Sequence, residues 1–211
     1  MKNWFLPLLA FTVPVLAPAA LINQLNYGGH VYSLYAGGVD NATYATATTK
    51  AQGLGGYLAR IDDPAENLAV FNFLAANNAS ITQAAGDGGG ARYVWLGGDD
   101  LAVEGTCRWQ DNADAFYSGT GLAGAPVGGR YNNFGVGAFT QEPDDFLGAQ
   151  DGLGMAMDDW PAPSGIGGNA AGKWNDINAA NTMAFVVEVA VPEPSASTLL
   201  ALGLLLLRRR R

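Results

Sequence analysis

Cysteine and histidine are almost absent from this chain of 211 residues, which contains one of each. A single cysteine excludes an intrachain disulfide and any multi-cysteine zinc or iron–sulfur site. A single histidine excludes paired-histidine metal motifs and leaves a Ser–His–Asp triad only one possible base. Neither a serine nor the cysteine lies in a recognisable nucleophile elbow. The sequence therefore does not predict an enzyme.

Basic residues are also scarce, since 11 lysines and arginines face 19 acidic residues and the formal net charge is −8. Five of the basic residues, Lys2 and residues 208–211, lie at the two ends of the chain. Residues 21–190 hold six basic and 18 acidic side chains, so their formal charge is −12. Nucleic-acid binding depends on neutralising phosphates, so this balance argues against it. It is compatible with binding cations.

The first 20 residues are typical of a secretory signal peptide. Lys2 supplies the charged start, residues 4–16 form an apolar stretch, and small residues follow at 17–20. A buried helix is a poor alternative, because three prolines would interrupt it. We therefore predict that residues 1–20 are a signal peptide and that the protein is exported.

The last 21 residues, 191–211, combine a Pro-Glu-Pro motif, an apolar run at 196–207 and four arginines. The apolar run is shorter than the ~20 residues that span a bilayer alone, and the arginines would hold its end in the cytoplasm. A simple tail anchor is one interpretation. The order of the three features resembles the PEP-CTERM sorting signal of Gram-negative bacteria. The resemblance implies transient anchoring in the inner membrane, cleavage by an exosortase-type protease, and a final location at the cell surface or in the extracellular matrix.

Two helices are predicted in the domain formed by residues 21–190, which is long enough for a single core. The first is expected to begin with Asp40 or Asn41 as its N-cap. The second has a stronger start, because Asp63 suits the N-cap and a proline follows it. Glu66 stands three residues after that cap and complements the helix dipole, so we interpret it as a capping residue and not as a general base.

Strands are predicted at residues 30–35, 92–98 and 183–189. His30 stands at the edge of the first strand, and the sequence suggests no partner for it. The glycine-rich stretch 87–90 is interpreted as a flexible linker. Residues 110–173 are dominated by Gly, Asn, Asp, Ala and Pro, and we predict that they form a long functional loop region.

The order of these elements and six short motifs resembles the C-type lectin-like domain. The motifs are residues 54–61, the capped helix with Glu66 and Asn67, and residues 94–98, 104–111, 141–144 and 174–176. The resemblance covers residues 31–189 and implies an α+β fold with two helices, short antiparallel sheets and a long loop region. Members of this family usually carry two disulfides. Cys107 is alone in this chain, so we expect a disulfide-free version in which this thiol is buried and inert.

Two of these motifs carry the oxygen ligands that calcium prefers. Glu142 and Asp144 flank Pro143, and residues two apart in an extended segment face the same side. The resemblance implies that Pro143 is cis and that Asn175 and Asp176 join the two carboxylates in a sugar-binding calcium site. In such a site, vicinal sugar hydroxyls complete the metal shell. Carbohydrate, such as an exopolysaccharide, is the ligand that this resemblance predicts.

A fifth calcium ligand is expected from Asp151, with Asp145 as the alternative. Trp174 is expected to pack beneath the site. The motif at 142–144 is a hybrid of the Glu-Pro-Asn and Gln-Pro-Asp forms, so it does not predict which sugar binds. A solvated acidic loop without metal remains an alternative interpretation, as does a structural or adhesive surface protein that binds another protein without metal.

Overall fold

A computed structural model describes residues 20–135, 141–161 and 170–191. Two α-helices and ten strands occur within these residues. The helices are α1 (Tyr44–Gly53) and α2 (Pro64–Ala76). The strands are β1 (Leu21–Tyr27), β2 (His30–Tyr35), β3 (Tyr57–Leu58), β4 (Tyr93–Asp99), β5 (Thr106–Trp109), β6 (Ala115–Ser118), β7 (Ala125–Pro126), β8 (Gly152–Ala156), β9 (Trp174–Ile177) and β10 (Ala184–Ala190).

The strands form one mixed sheet in the order β1-β2-β10-β4-β5-β6-β7. β3 pairs with β10, while β8 lies between β4 and β9. The β10–β4 pair is parallel, with Phe185 opposite Trp95, whereas the other pairs of named strands are antiparallel. The first and last strands of the domain therefore lie close together, with only β2 between them.

β1 is a strand that the sequence did not predict. It forms a hairpin with β2, and Gly28 and Gly29 occupy the turn with φ angles of 59° and 83°. Glycine suits this two-residue turn because both central residues need positive φ. Most of β1 is exposed, and its sequence lacks the alternation of apolar and polar residues that predicts a half-buried strand.

The N-cap expected for α1 was wrong, whereas the N-cap of α2 is confirmed. Thr43 caps α1, and its side chain accepts a hydrogen bond from the Thr46 N–H. Asn41 instead accepts one from the Gly37 N–H, within the preceding turn. Asp63 caps α2 by accepting from the N–H groups of Ala65 and Glu66 at 2.7 and 2.8 Å. The side chain of Asn41 is used in the turn that precedes α1, and the N-cap lies two residues later, at Thr43.

The predicted loop region at 110–173 was only partly correct, because β6, β7 and β8 lie inside it. β8 was missed because glycine is rare in strands, yet it contains Gly152 and Gly154. A Cβ atom on Gly152 would lie 2.8 Å from Cζ3 of Trp95 and 3.0 Å from Cδ2 of Tyr44. Glycine is needed there because the buried rings of Trp95 and Tyr44 pack directly against the strand at this position.

Three tryptophans, Trp95, Trp109 and Trp174, are among the largest fully buried side chains of the core. The Trp109 and Trp174 rings meet edge to face at 5.8 Å. Cys107 lies in the same cluster and is 5% exposed, as expected for a buried thiol. Burial raises the pKa of the Cys107 thiol well above its ordinary value, which keeps it protonated and unreactive.

No helix in the described part of the chain is long and apolar enough to cross a membrane. The predicted signal peptide (except Ala20), the apolar run at 196–207 and the terminal arginines lie outside the described residues.

Candidate metal site

Three carboxylates from two of the predicted motifs meet at one end of β9. Oxygen atoms of Glu142, Asp144 and Asp176 all lie within 4.8 Å of one another. Glu142 and Asp176 are each 4% exposed, and Asp144 is partly buried. Asp176 belongs to β9, whereas the other two belong to the segment that precedes β8. The structure therefore brings Asp176 together with two residues that precede it by 32 and 34 positions in the chain.

Backbone hydrogen bonds to Asp176 join the two segments. Its carboxylate accepts from the N–H groups of Asp144 at 3.2 Å and Asp145 at 2.8 Å. Gln150 closes the following loop, because its side-chain oxygen accepts from the Phe146 N–H at 2.6 Å. The Glu142–Pro143 peptide bond is cis, as the resemblance implied. The position of Asp144 thus depends on contacts made by Asp176, whereas the Glu142 N–H donates to the Gly135 carbonyl at 3.0 Å.

Burial and mutual repulsion shift the pKa values of two of the carboxyl groups. Burial, followed by the charges of Asp176 and Asp144, raises the pKa of Glu142 to about 9. Burial also raises the pKa of Asp176 to about 6, although backbone N–H groups act in the opposite direction. No basic side chain within the described ranges forms an ion pair with Glu142 or Asp176. A cation would therefore relieve repulsion at this position.

Two oxygen atoms of the candidate site are buried without a hydrogen-bond donor among the described residues. They are Oε2 of Glu142 and Oδ1 of Asn175. The indole N–H of Trp160 lies near the Glu142 carboxyl group and acts to lower its pKa, but this N–H also has no partner of hydrogen-bond geometry in the described part of the chain. A buried acceptor without a partner costs about 1–3 kcal/mol, so such atoms are uncommon without a function. Asn175 is 2% exposed and lies next to Asp176 in β9.

Trp174 lies in the core next to Asn175, as expected. It is fully buried, and its indole N–H donates to Oδ1 of Asn67 at 2.8 Å. Asn67 lies on α2 and its side-chain amide also donates to the carbonyl of Gly172 at 3.1 Å. The start of β9 is therefore held by the second helix.

Neither Asp151 nor Asp145 belongs to the group of three carboxylates. Asp151 lines a small neighbouring cavity together with Asp99, Asp100 and Asp176. Asp145 lies beside the group, but its carboxylate accepts from the Gln150 N–H at 3.2 Å. The role of Asp151 as a metal ligand remains a prediction.

Asp87 contributes to this region in a way that the sequence did not indicate. Its carboxylate accepts from the Asn178 N–H and from the Asn181 side-chain amide, both at 2.7 Å. Gln150 also donates to the carbonyl of Asp87 at 3.3 Å. The interpretation of residues 87–90 as a flexible linker was therefore wrong. The partners of Asp87 are 63 to 94 residues away, and no local pattern reveals such contacts.

The arrangement of two helices and a mixed sheet is the C-type lectin-like fold, which confirms the predicted fold class and its disulfide-free form. The C-type carbohydrate-recognition domain of cow CD23, solved in the presence of GlcNAc2Man3 oligosaccharide, is similar with 20% identity and a TM-score of 0.51. The match covers 81% of this chain and 95% of the CD23 chain.

Two further solved structures have the same fold. The C-type lectin CEL-I from Cucumaria echinata is 20% identical with a TM-score of 0.53, over 80% of this chain and 96% of CEL-I. A calcium-independent type II antifreeze protein is 20% identical with a TM-score of 0.50, over 81% of this chain and 96% of that protein. No family model matches the chain, and no curated protein matches its sequence.

Proposed function

We propose that this protein binds carbohydrate through a calcium ion held by Glu142, Asp144, Asn175 and Asp176. The observation that carries this proposal is a pair of buried oxygens without hydrogen-bond partners among the described residues, one on Glu142 within the group of carboxylates and one on Asn175, the neighbour of Asp176 in β9. Without a cation, this arrangement combines repulsion between charges with unsatisfied acceptors. A bound cation removes both penalties.

The chemistry of these donors fits calcium. Three carboxylates and one amide supply hard oxygen ligands, and calcium takes six to eight of them from side chains, carbonyls and water. The donor set contains neither sulfur nor imidazole, which zinc and the later transition metals prefer. Calcium supplies a centre on which neighbouring hydroxyl groups of a sugar coordinate. The protein's own part is to hold the carboxylates and the amide at fixed positions and to accept hydrogen bonds from those hydroxyls.

Carbohydrate is proposed as the ligand because the similar cow CD23 domain is a carbohydrate-recognition domain. We expect a glycan array to show binding in calcium and no binding in chelator. The Glu142→Gln variant keeps the shape of the side chain but can never supply a carboxylate to the calcium ion, so it should fail on the same array. Binding that survives both chelator and this variant would contradict the calcium-dependent proposal.

We further propose that the protein is exported through residues 1–20 and sorted through residues 191–211. The end of β10 at Ala190, immediately before the predicted tail, supports the second boundary. The mass of the mature protein from an exosortase-containing Gram-negative host tests both signals. We expect both ends to be removed. Replacing the four terminal arginines with alanine should leave the tail uncleaved, whereas normal processing of that variant would contradict the sorting proposal.

A structural or adhesive role without metal is the alternative. It is favoured by apolar side chains that the loops near the site expose to solvent, namely Leu122 (91%), Leu147 (84%) and Phe146 (50%). Leu122 is near Pro143, because the Gly121 N–H donates to the Pro143 carbonyl. The similar antifreeze protein is calcium-independent. Binding of a protein ligand in chelator, lost in Leu122→Ser and Leu147→Ser, would favour this alternative.

A further inference from the structure

The hydroxyl group of Tyr93 makes two hydrogen bonds behind the candidate site. Tyr93 lies on β4, is fully buried, and donates its proton to the Gly88 carbonyl at 2.8 Å. The side-chain nitrogen of Asn175 donates to the same hydroxyl oxygen at 3.1 Å. These three residues form a short chain of hydrogen bonds that runs from Asn175 through Tyr93 to the backbone of residue 88.

The direction of this chain is fixed by what each group can do. A carbonyl oxygen only accepts, so the single hydroxyl proton of Tyr93 points to Gly88. The hydroxyl then has only lone pairs to offer to Asn175, and the amide must present its NH2 group to Tyr93. The two ends of an asparagine amide have nearly the same shape, and their hydrogen-bond partners decide which is which. The amide oxygen of Asn175 must therefore lie on the side of the amide group that faces away from the Tyr93 hydroxyl.

We infer that the Gly88 carbonyl and the Tyr93 hydroxyl act as a positioning relay, which turns the amide oxygen of Asn175 to the cation site. This inference rests on the proposed function. The unpartnered state of Oδ1 of Asn175 agrees with it, since that oxygen is buried and has no donor within the described residues. If the amide were reversed, its NH2 group would face the site and would repel a cation.

Residue 88 is held firmly enough to serve as the end of the relay. A Cβ atom on Gly88 would lie 2.6 Å from both Cδ1 of Ile177 and Cε2 of Tyr93, so only glycine fits without movement. The preceding Asp87 is tied to Asn178 and Asn181 by the two hydrogen bonds of 2.7 Å described above. The stretch that the sequence suggested was a linker therefore supports the relay.

The variant that tests the relay is Tyr93→Phe, which keeps the buried ring and removes the hydroxyl. Groups that orient a metal ligand typically change metal affinity by about 10–100-fold when they are removed. We expect the calcium dissociation constant, measured by calorimetry, to rise by about 10-fold or more. Tyr32→Phe is the matched control, because Tyr32 is also fully buried and donates its hydroxyl to Glu66, away from the site. We expect this control to bind calcium with the affinity of the unmodified protein.

A second measurement reads the amide directly and needs no calcium. In the metal-free protein, the two NH2 protons of Asn175 should show slowed exchange with solvent by NMR, and Tyr93→Phe should accelerate it. The resonance is assigned by its loss in Asn175→Asp. Gly88→Ala should displace the carbonyl and produce the same two changes. Unchanged exchange in Tyr93→Phe, or equal calcium affinity in Tyr93→Phe and Tyr32→Phe, would overturn the relay.

The two proposals fail in different ways. If the unmodified protein binds no calcium, the proposed function fails, and the exchange rates still decide whether Tyr93 orients Asn175. If the unmodified protein binds calcium and Tyr93→Phe binds it equally well, only the relay is wrong.

Discussion

Replacing Glu142 with glutamine should stabilise the metal-free protein while removing its response to calcium. Glu142 is 4% exposed, and the nearby carboxylates of Asp176 and Asp144 oppose its ionisation. The unfolded chain has no such penalty, so folding must either protonate this side chain or bury its charge. Glutamine keeps the volume and a similar set of polar atoms without the charge. Such a trade of stability for function is common at binding sites.

The size of the effect follows from the shift in pKa, which rises from 4.5 to about 9. Between these values the folded protein holds a proton that the unfolded chain has lost. The free energy of unfolding therefore falls as pH rises, by about 1.4 kcal/mol for each pH unit. At pH 7, about 2.5 pH units above the unfolded value of 4.5, the loss from this one group is about 3–4 kcal/mol. The contribution of Glu142 to the free energy of unfolding is most favourable below pH 4.5, and it falls as the pH rises to about 9.

Urea denaturation in chelator at several pH values between 5 and 9 measures this slope. We expect Glu142→Gln to be more stable than the unmodified protein at pH 7 to 9 and to show a flatter dependence on pH. Glu104→Gln is the matched control, because it is the same substitution at an exposed glutamate. Calcium should raise the unfolding midpoint of the control and leave that of Glu142→Gln unchanged. The same pH slope in both variants would refute the argument from burial.

Three further predictions concern the scaffold, and chemical denaturation measures each of them. Thr43→Ala should lower the free energy of unfolding by about 1 kcal/mol, because it removes the cap of α1, and no loss would mean that this cap is dispensable. Asp158→Asn should lower it by about 1–2 kcal/mol at pH 7, since it weakens the contacts with Arg92 at 2.6 and 2.8 Å. Arg92 lowers the pKa of Asp158 below 3.8, so this difference should shrink as pH falls through that lowered pKa, and a constant difference would contradict the ion pair. Trp174→Phe should cost about 2 kcal/mol through lost packing and the lost bond to Asn67, and full stability would mean that the indole is not needed there.

The parts of the fold that the sequence predicted have strong local signals. The N-cap at Asp63 followed by a proline predicts the start of α2, and the apolar run at the end of the domain predicts β10. β8 was missed because its glycines are dictated by the aromatic rings of Trp95 and Tyr44, which are distant in the sequence. Such packing constraints leave no periodic pattern in the strand itself.

The candidate site shows the same division between local and distant signals. The resemblance to the C-type lectin-like domain nominated Glu142, Asp144 and Asp176, and the structure brings them within 4.8 Å of one another. The supporting contacts of Asp87 and Tyr93 could not be predicted. Each depends on partners that are close only after folding, and glycine-rich sequence around Asp87 is equally typical of a flexible loop.

Calcium titration by calorimetry, with the purified, chelator-treated protein at pH 8, tests the central claim most directly. We expect saturable binding, a rise in the thermal unfolding midpoint with calcium concentration, and the loss of both in Glu142→Gln. Magnesium at the same concentration should bind more weakly, because it demands a compact octahedral shell. Absence of both heat and a midpoint shift in the unmodified protein would contradict the assignment of Glu142, Asp144, Asn175 and Asp176 as a calcium site.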